Sequence, residues 1–178
     1  PRSTPKPSSA ASDVYKRQEL NDFALAEEPL RMGFKLYYLK DDPDTFLLEI
    51  LRNKLKLKGS KFGCGLEQCG ACLVIADNES LYSCTSKIKD LEGKKIITIE
   101  GLNNNGDLSL LQTTFIEERA GQCGYCIPGI IMSAELLLKK NPNPNREDIK
   151  IALSKNLCRC GAHNSILKAV EKAVNQKS

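Results

Sequence analysis

Apolar residues along this chain follow one rhythm up to about residue 104 and another beyond it. From Gly33 to Lys40, Phe34, Leu36, Tyr38 and Leu39 alternate closely enough with polar neighbours to predict a strand. Asp42-Pro43-Asp44-Thr45 ends that strand and predicts a helix start, with Asp44 or Thr45 as the side-chain acceptor for the free amides. The helix predicted over Phe46 to Leu55 carries Leu47, Leu48, Ile50 and Leu51 largely on one face, suited to lie across a sheet. Leu73 to Ala76 and Leu81 to Cys84 flank the turn signal Asp77-Asn78-Glu79-Ser80 and read as a hairpin, and Ile96 to Ile99 adds a strand. A small twisted sheet crossed by one helix is the β-grasp arrangement.

Beyond residue 104 the spacing becomes helical. A capping box from Ser109 to Gln112 opens a helix to Arg119, with Leu111 and Phe115 facing inward. Pro128 suits the first turn of a second helix bearing Ile131, Ala134, Leu137 and Leu138. Asn141-Pro142-Asn143-Pro144 stops it, and Asn145 caps a third helix with Ile149, Ala152 and Leu153 inward. A fourth follows Asn164, burying Ile166, Val170, Ala173 and Val174. The fold class is therefore α+β: an N-terminal β-grasp ferredoxin-like domain at 32–104, then a C-terminal four-helix domain at 105–178. Residues 1–31 are set apart as a disordered or non-native leader. Within it, 1–18 is rich in Pro, Ser and Lys, lacks an apolar period, and its S-D-V-Y-K-R-Q string reads as a translated sequencing-adaptor scar.

The eight cysteines fall into the same two halves. Cys64, Cys69 and Cys72 stand in C-x4-C-x2-C spacing with Cys84 following, the spacing of plant-type [2Fe-2S] ferredoxins. Gly63, Gly65 and Gly70 suit a loop that curls round two irons, and a zinc site has no use for the four residues between Cys64 and Cys69. Because a hairpin folds back on itself, Cys72 and Cys84 are expected at its open end. Cys123 and Cys126 join the first and second helices, and Cys158 and Cys160 the third and fourth. Antiparallel neighbours bring those four thiols to one end of the helical domain. Spacing alone leaves zinc and [2Fe-2S] both open for this second set. A Rieske centre is excluded, since it needs two histidines and the chain has one, His163, which reads as a polar loop residue.

Charge changes the picture little. Of the net +4, +3 lies in the first eighteen residues, where Arg2, Lys6, Lys16 and Arg17 stand against Asp13. Two oxidised clusters would each add about −2, so nucleic acid is not an expected partner, and Arg52 to Lys61 reads as a solvated helix end. No secretory signal pattern and no apolar run near 18 residues is present, which predicts no membrane span and a cytoplasmic, reducing setting for free thiols. No phosphate-binding glycine loop, nucleophile elbow or paired histidine equips the chain for substrate chemistry of its own.

Taken together, D-P-D-T at 42–45, K-F-G-C-G-L-E-Q-C-G-A-C at 61–72, S-C at 83–84, T-I-E-G-L at 98–102, Q-C-G-Y-C at 122–126 and L-C-R-C-G at 157–161 resemble the small iron-sulfur subunits of xanthine oxidase-family molybdenum hydroxylases. Tyr125 and Gly161 make the resemblance nearest to isoquinoline 1-oxidoreductase alpha subunits. It implies two [2Fe-2S] clusters, the first on Cys64, Cys69, Cys72 and Cys84 and the second on Cys123, Cys126, Cys158 and Cys160. The second would lie near a molybdopterin cofactor held by a separate large subunit, with Gln122 and Cys160 contacting the pterin. The implied function is electron transfer from that subunit, which hydroxylates an N-heterocycle or aldehyde, to an external acceptor. Three features depart from the family pattern: only ten residues separate Met32 from Asp42, Asp41 stands where an apolar residue is usual, and Ser165 and Leu167 replace arginines. The first leaves the initial strand either absent or supplied by Glu19 to Arg31.

Overall fold

A computed structural model describes residues 30–32, 35–37, 41–102 and 107–177, the first two segments as backbone only. Five strands form one mixed sheet among these residues, in the order β2-β1-β5-β3-β4. Strand β1 (Leu30–Met32) runs antiparallel to β2 (Lys35–Tyr37) and parallel to β5 (Lys95–Ile97). The single strand expected over Gly33 to Lys40 is thus realised in part, as β2 with β1 before it; residues 33–34 and 38–40 lie outside the described set. Leu30 and Arg31, set apart in sequence with the leader, belong to β1, so the initial strand draws on the end of Glu19 to Arg31: Leu30 pairs with Tyr37 of β2, and Arg31 and Met32 pair with Lys95 and Ile96 of β5. The remainder of the leader, 1–29, lies outside the described residues.

The first helix, α1, is α-helical only over Leu47–Glu49 and continues as a π-helical turn over Ile50–Lys54. Neither Asp44 nor Thr45 caps it, contrary to the sequence reading. Instead the Leu47 and Leu48 amides donate to the carbonyls of Ser86 (2.9 Å) and Ser83 (2.8 Å). Main chain arriving from the far side of the β3–β4 hairpin does what a local side chain was expected to do. Asp42 meanwhile accepts from the Asp44 amide in a turn, and Asp44 pairs with Lys87 and Lys89, 2.7 Å from each.

Strand β3 (Leu73–Ala76) and β4 (Glu79–Tyr82) pair in register from Leu73↔Tyr82 to Ala76↔Glu79. Their connection is only Asp77 and Asn78, both at positive φ (47° and 69°), the conformation of a type I′ hairpin. The turn is therefore two residues shorter than the sequence indicated, and β4 begins at Glu79. Strand β3 is buried on both faces. Val74 and Ala76 pack with Leu47, Leu51, Leu91 and Ile96, while Leu73 and Ile75 pack with Met132 and Leu136 of the helical half.

Those last two residues belong to α3 (Ile127–Lys140), which follows α2 (Leu110–Glu117) and precedes α4 (Arg146–Leu153) and α5 (His163–Lys177). Both expected caps form: Ser109 with Gln112 on α2, and Asn145 with Asp148 on α4. His163 opens α5 rather than lying in a loop. Helix α2 packs chiefly on α5, and α3 on both α4 and β3. Leu111, Phe115, Ile131, Ala134, Leu138, Ile149, Ile166, Val170, Ala173 and Val174 share one core, whereas Leu137 and Leu153 are only partly buried at its margin. Where the halves meet, Gly129 of α3 lies so close to Gly70 that a Cβ there would come within 2.0 Å of the Gly70 carbonyl oxygen.

Candidate metal centres

Cys64 and Cys69 sit on a surface loop between α1 and β3, and Cys72 directly precedes β3. Loop curvature depends on Gly70 at φ 69° and on Gly63, whose missing side chain leaves room for the Cys69 sulfur (2.5 Å from an ideal Cβ). At the hairpin's open end the Ser83 hydroxyl donates to the Cys72 carbonyl (2.7 Å), and the two flanking sulfurs, Cys72 Sγ and Cys84 Sγ, stand 3.2 Å apart. Leu48 of α1 packs over this buried pair. The Thr85 hydroxyl donates to Glu67, tying the strand end back to the cysteine loop.

Amides rather than cations surround the outer thiols. The Leu66 amide, 3.3 Å from Cys64 Sγ, draws that thiol down to about 7; burial opposes it and the Gln68 amide adds to it. The Cys64 amide donates in turn to Cys69 Sγ at 3.3 Å. Burial pushes Cys72 the other way, up to about 12.

The second set repeats this division. Cys126 and Cys158 are buried with their thiols close enough to perturb one another, whereas Cys123 is exposed and its thiol interacts with that of the half-buried Cys160. The Tyr125 amide lowers the Cys123 thiol, and burial pushes Cys126 up to about 12. For Cys158 burial is the largest single influence and acts upward, but amides of Ala162, Cys160 and Gly161, with the Cys126 thiol, outweigh it and lower the group. Most of the amides acting on these sulfurs belong to non-glycine residues, Gly161 excepted.

The structure thus brings together each sequence-predicted quartet as two pairs, Cys64 with Cys69 and Cys72 with Cys84, then Cys123 with Cys160 and Cys126 with Cys158. All eight thiols are free. The 3.2 Å between Cys72 and Cys84 lies between the ~2.05 Å of a disulfide and the ~3.8 Å of two sulfurs on one tetrahedral metal. Among the described residues no three His, Cys, Asp or Glu side chains converge where a single ion could sit. Two-by-two donors fit a core with two metals, each needing two protein thiolates. The buried pair fits for a second reason, since two thiolates side by side in an apolar setting require a cation between them.

Gln122 is exposed and precedes the exposed Cys123 in sequence. Two contacts link the sets and escaped the sequence reading. The Leu157 amide donates to the Cys69 carbonyl at 3.0 Å, joining the residue before Cys158 to a member of the first set. The Tyr125 hydroxyl donates to the Phe62 carbonyl, two residues before Cys64. No local signal marks either one; the only hint is that α3 is apolar nearly all round, which demands burial on two sides.

Comparison with known proteins agrees with this geometry. Residues 33–98 match the 2Fe-2S iron-sulfur cluster binding domain and residues 98–171 the [2Fe-2S] binding domain. One subunit of the nicotinate dehydrogenase of Pseudomonas putida is 49% identical over 135 residues, covering 76% of this chain and 86% of that protein. The alpha subunit of isoquinoline 1-oxidoreductase from Brevundimonas diminuta is 39% identical over 155 residues, covering 87% and 97%. A solved chain of quinoline 2-oxidoreductase from Pseudomonas putida 86 superposes with a TM-score of 0.77 at 32% identity, over 84% of this chain and 93% of that one. No helix among the described residues is long and apolar enough to cross a membrane. Paired thiols in both halves, two matched cluster-binding domains and these relatives together make the chain a member of the small [2Fe-2S] subunits of xanthine oxidase-family molybdenum hydroxylases.

Proposed function

We propose that this chain is the electron-transfer subunit of a molybdenum hydroxylase. It takes electrons from a molybdopterin-bearing large subunit that oxidises an N-heterocycle or aldehyde, then delivers them to an external acceptor. The observation that carries this reading is the division of each cysteine quartet into one buried and one outward thiol pair, in two adjacent loops. Cys64, Cys69, Cys72 and Cys84 would hold one cluster on a β-grasp domain at 32–104, and Cys123, Cys126, Cys158 and Cys160 the other on a four-helix bundle at 105–178. Each [2Fe-2S] cluster supplies reversible one-electron chemistry with little change in shape.

The residues of the chain do the rest. Buried Cys72 and Cys126, with the apolar side chains packed on them, keep water from one side of each site. Amides of Leu66, Gln68 and Tyr125 point at the outer thiols and favour their charged form, the usual lever on cluster potential. The Leu157–Cys69 hydrogen bond gives the shortest main-chain link between the two quartets described above. Gln122 is exposed and Cys160 half-buried. Gln122 would hydrogen-bond the pterin held by the large subunit, while Cys160 would approach it. Free, reduced thiols suit a cytoplasmic location.

The test is metal content and spectrum. The reconstituted chain should bind about four irons and four acid-labile sulfides and show two dissimilar paramagnetic signals on reduction. A single signal, or stoichiometric zinc in a colourless protein, refutes the two-cluster assignment.

A further inference from the structure

Tyr125 touches the scaffolding of both cysteine sets at once. Its backbone amide lies near the Cys123 thiol of the second set and lowers it. Its hydroxyl donates to the carbonyl of Phe62, which leads through Gly63 into Cys64 of the first. The Lys61 ammonium, itself bonded to the Gly59 carbonyl (3.0 Å), lies 5.9 Å from the centre of the Tyr125 ring, and the Phe62 ring packs over Gly65. The Leu157–Cys69 bond joins the two halves at a second point, through different residues of both loops. One contact leaves a loop free to swivel; two separate contacts restrain both a separation and an orientation.

We infer that Tyr125 is a positioning residue whose hydroxyl fixes the spacing of the two cluster-bearing loops, and so the distance over which an electron passes between them. This rests on the two-cluster reading above. The rate of such a transfer falls exponentially with the gap, so a loop that wanders by a fraction of an ångström spreads the rate although its average position is unchanged. No proton accompanies the step: one site loses one electron and the other gains it. Phenylalanine at 125 would keep the ring and the amide near Cys123 while removing the tie to Phe62.

The experiment compares the complete chain with its Tyr125→Phe variant, both loaded with iron and sulfide. Failure of the unaltered chain to bind two clusters refutes the two-cluster reading itself, separately from the role of Tyr125. With both clusters present, Tyr125→Phe should exchange the amides of Gly63 to Leu66 roughly two- to tenfold faster, as loss of one net hydrogen bond implies. In the fully reduced state it should also broaden the spin–spin splitting between the two centres. Unchanged exchange and splitting overturn the inference; faster exchange with unchanged splitting marks the hydroxyl as merely structural and overturns it as well. Should the variant lose iron, hydrogen exchange of the unaltered chain in mild denaturant decides. Matching opening free energies at Gly63–Leu66 and Gly124–Ile127 uphold the tether, and independent ones overturn it.

Discussion

Gly129→Ala offers a direct way to part the two halves. An added methyl would lie 2.0 Å from the Gly70 carbonyl oxygen, 3.0 Å from its carbon and 3.4 Å from the Ala71 Cα, all backbone atoms that no rotamer change can clear. Carbon–oxygen contacts settle at about 3.3 Å or more, so α3 must retreat from the first loop by roughly 1 Å. The retreat would loosen Met132 and Leu136 against Leu73 and Ile75, which are fully or nearly fully buried. Overpacking of this kind costs about 1–3 kcal/mol, against a helix-propensity gain of up to ~1 kcal/mol from replacing glycine. The net expectation is a destabilisation of about 1–2 kcal/mol, with larger losses if the Leu157–Cys69 bond is pulled open as well. Urea unfolding followed by helix content and by cluster absorbance measures it, and both probes should shift together because the halves share β3 as a wall. An alanine variant as stable as the parent, or more so, would refute the close contact between α3 and the first loop.

Cys126→Ser or Cys158→Ser should abolish the second cluster's paramagnetic signal and turnover of the assembled hydroxylase while the first signal persists; disappearance of the first signal would contradict the separate-quartet assignment. Gln122→Ala should keep both clusters yet weaken association with the large subunit, read by co-purification and by turnover, since the side chain is exposed and supports nothing internal. Hydrogen bonds from Lys87 and Lys89, with their charges, hold Asp44 down at about 2 from 3.8. A carboxyl depressed in the folded state stabilises above its unfolded value and stops doing so as pH falls toward the folded one. The metal-free chain should therefore lose this contribution between about pH 4 and pH 2, and Asp44→Asn should remove that segment of the acid-unfolding curve. Asp44 lies at the surface with both lysines largely in solvent, so high salt should flatten the same segment in the parent.

Patterns within a segment reveal whatever local chemistry alone dictates. Cysteine spacing divides eight thiols into two quartets because a short loop allows few ways to present sulfur to metal. The caps at Ser109 and Asn145 were legible because each uses an acceptor and a partner three residues away. The inward faces of α2 and α5 followed from period alone. Local pattern failed wherever a distant segment took over a neighbour's role. Ser83 and Ser86 cap α1 in place of Asp44 or Thr45, and β2 and β5 hold Leu30 and Arg31 in the sheet. The hairpin turn closes in two residues, Asp77 and Asn78, because both accept positive φ. Only the tertiary structure could decide which thiol partners which, that α3 is walled on one side by β3, and that Leu157 and Tyr125 stitch the loops together. Most of these are contacts between residues tens of positions apart, and such contacts are chosen by packing of the whole chain rather than by any pattern within a segment.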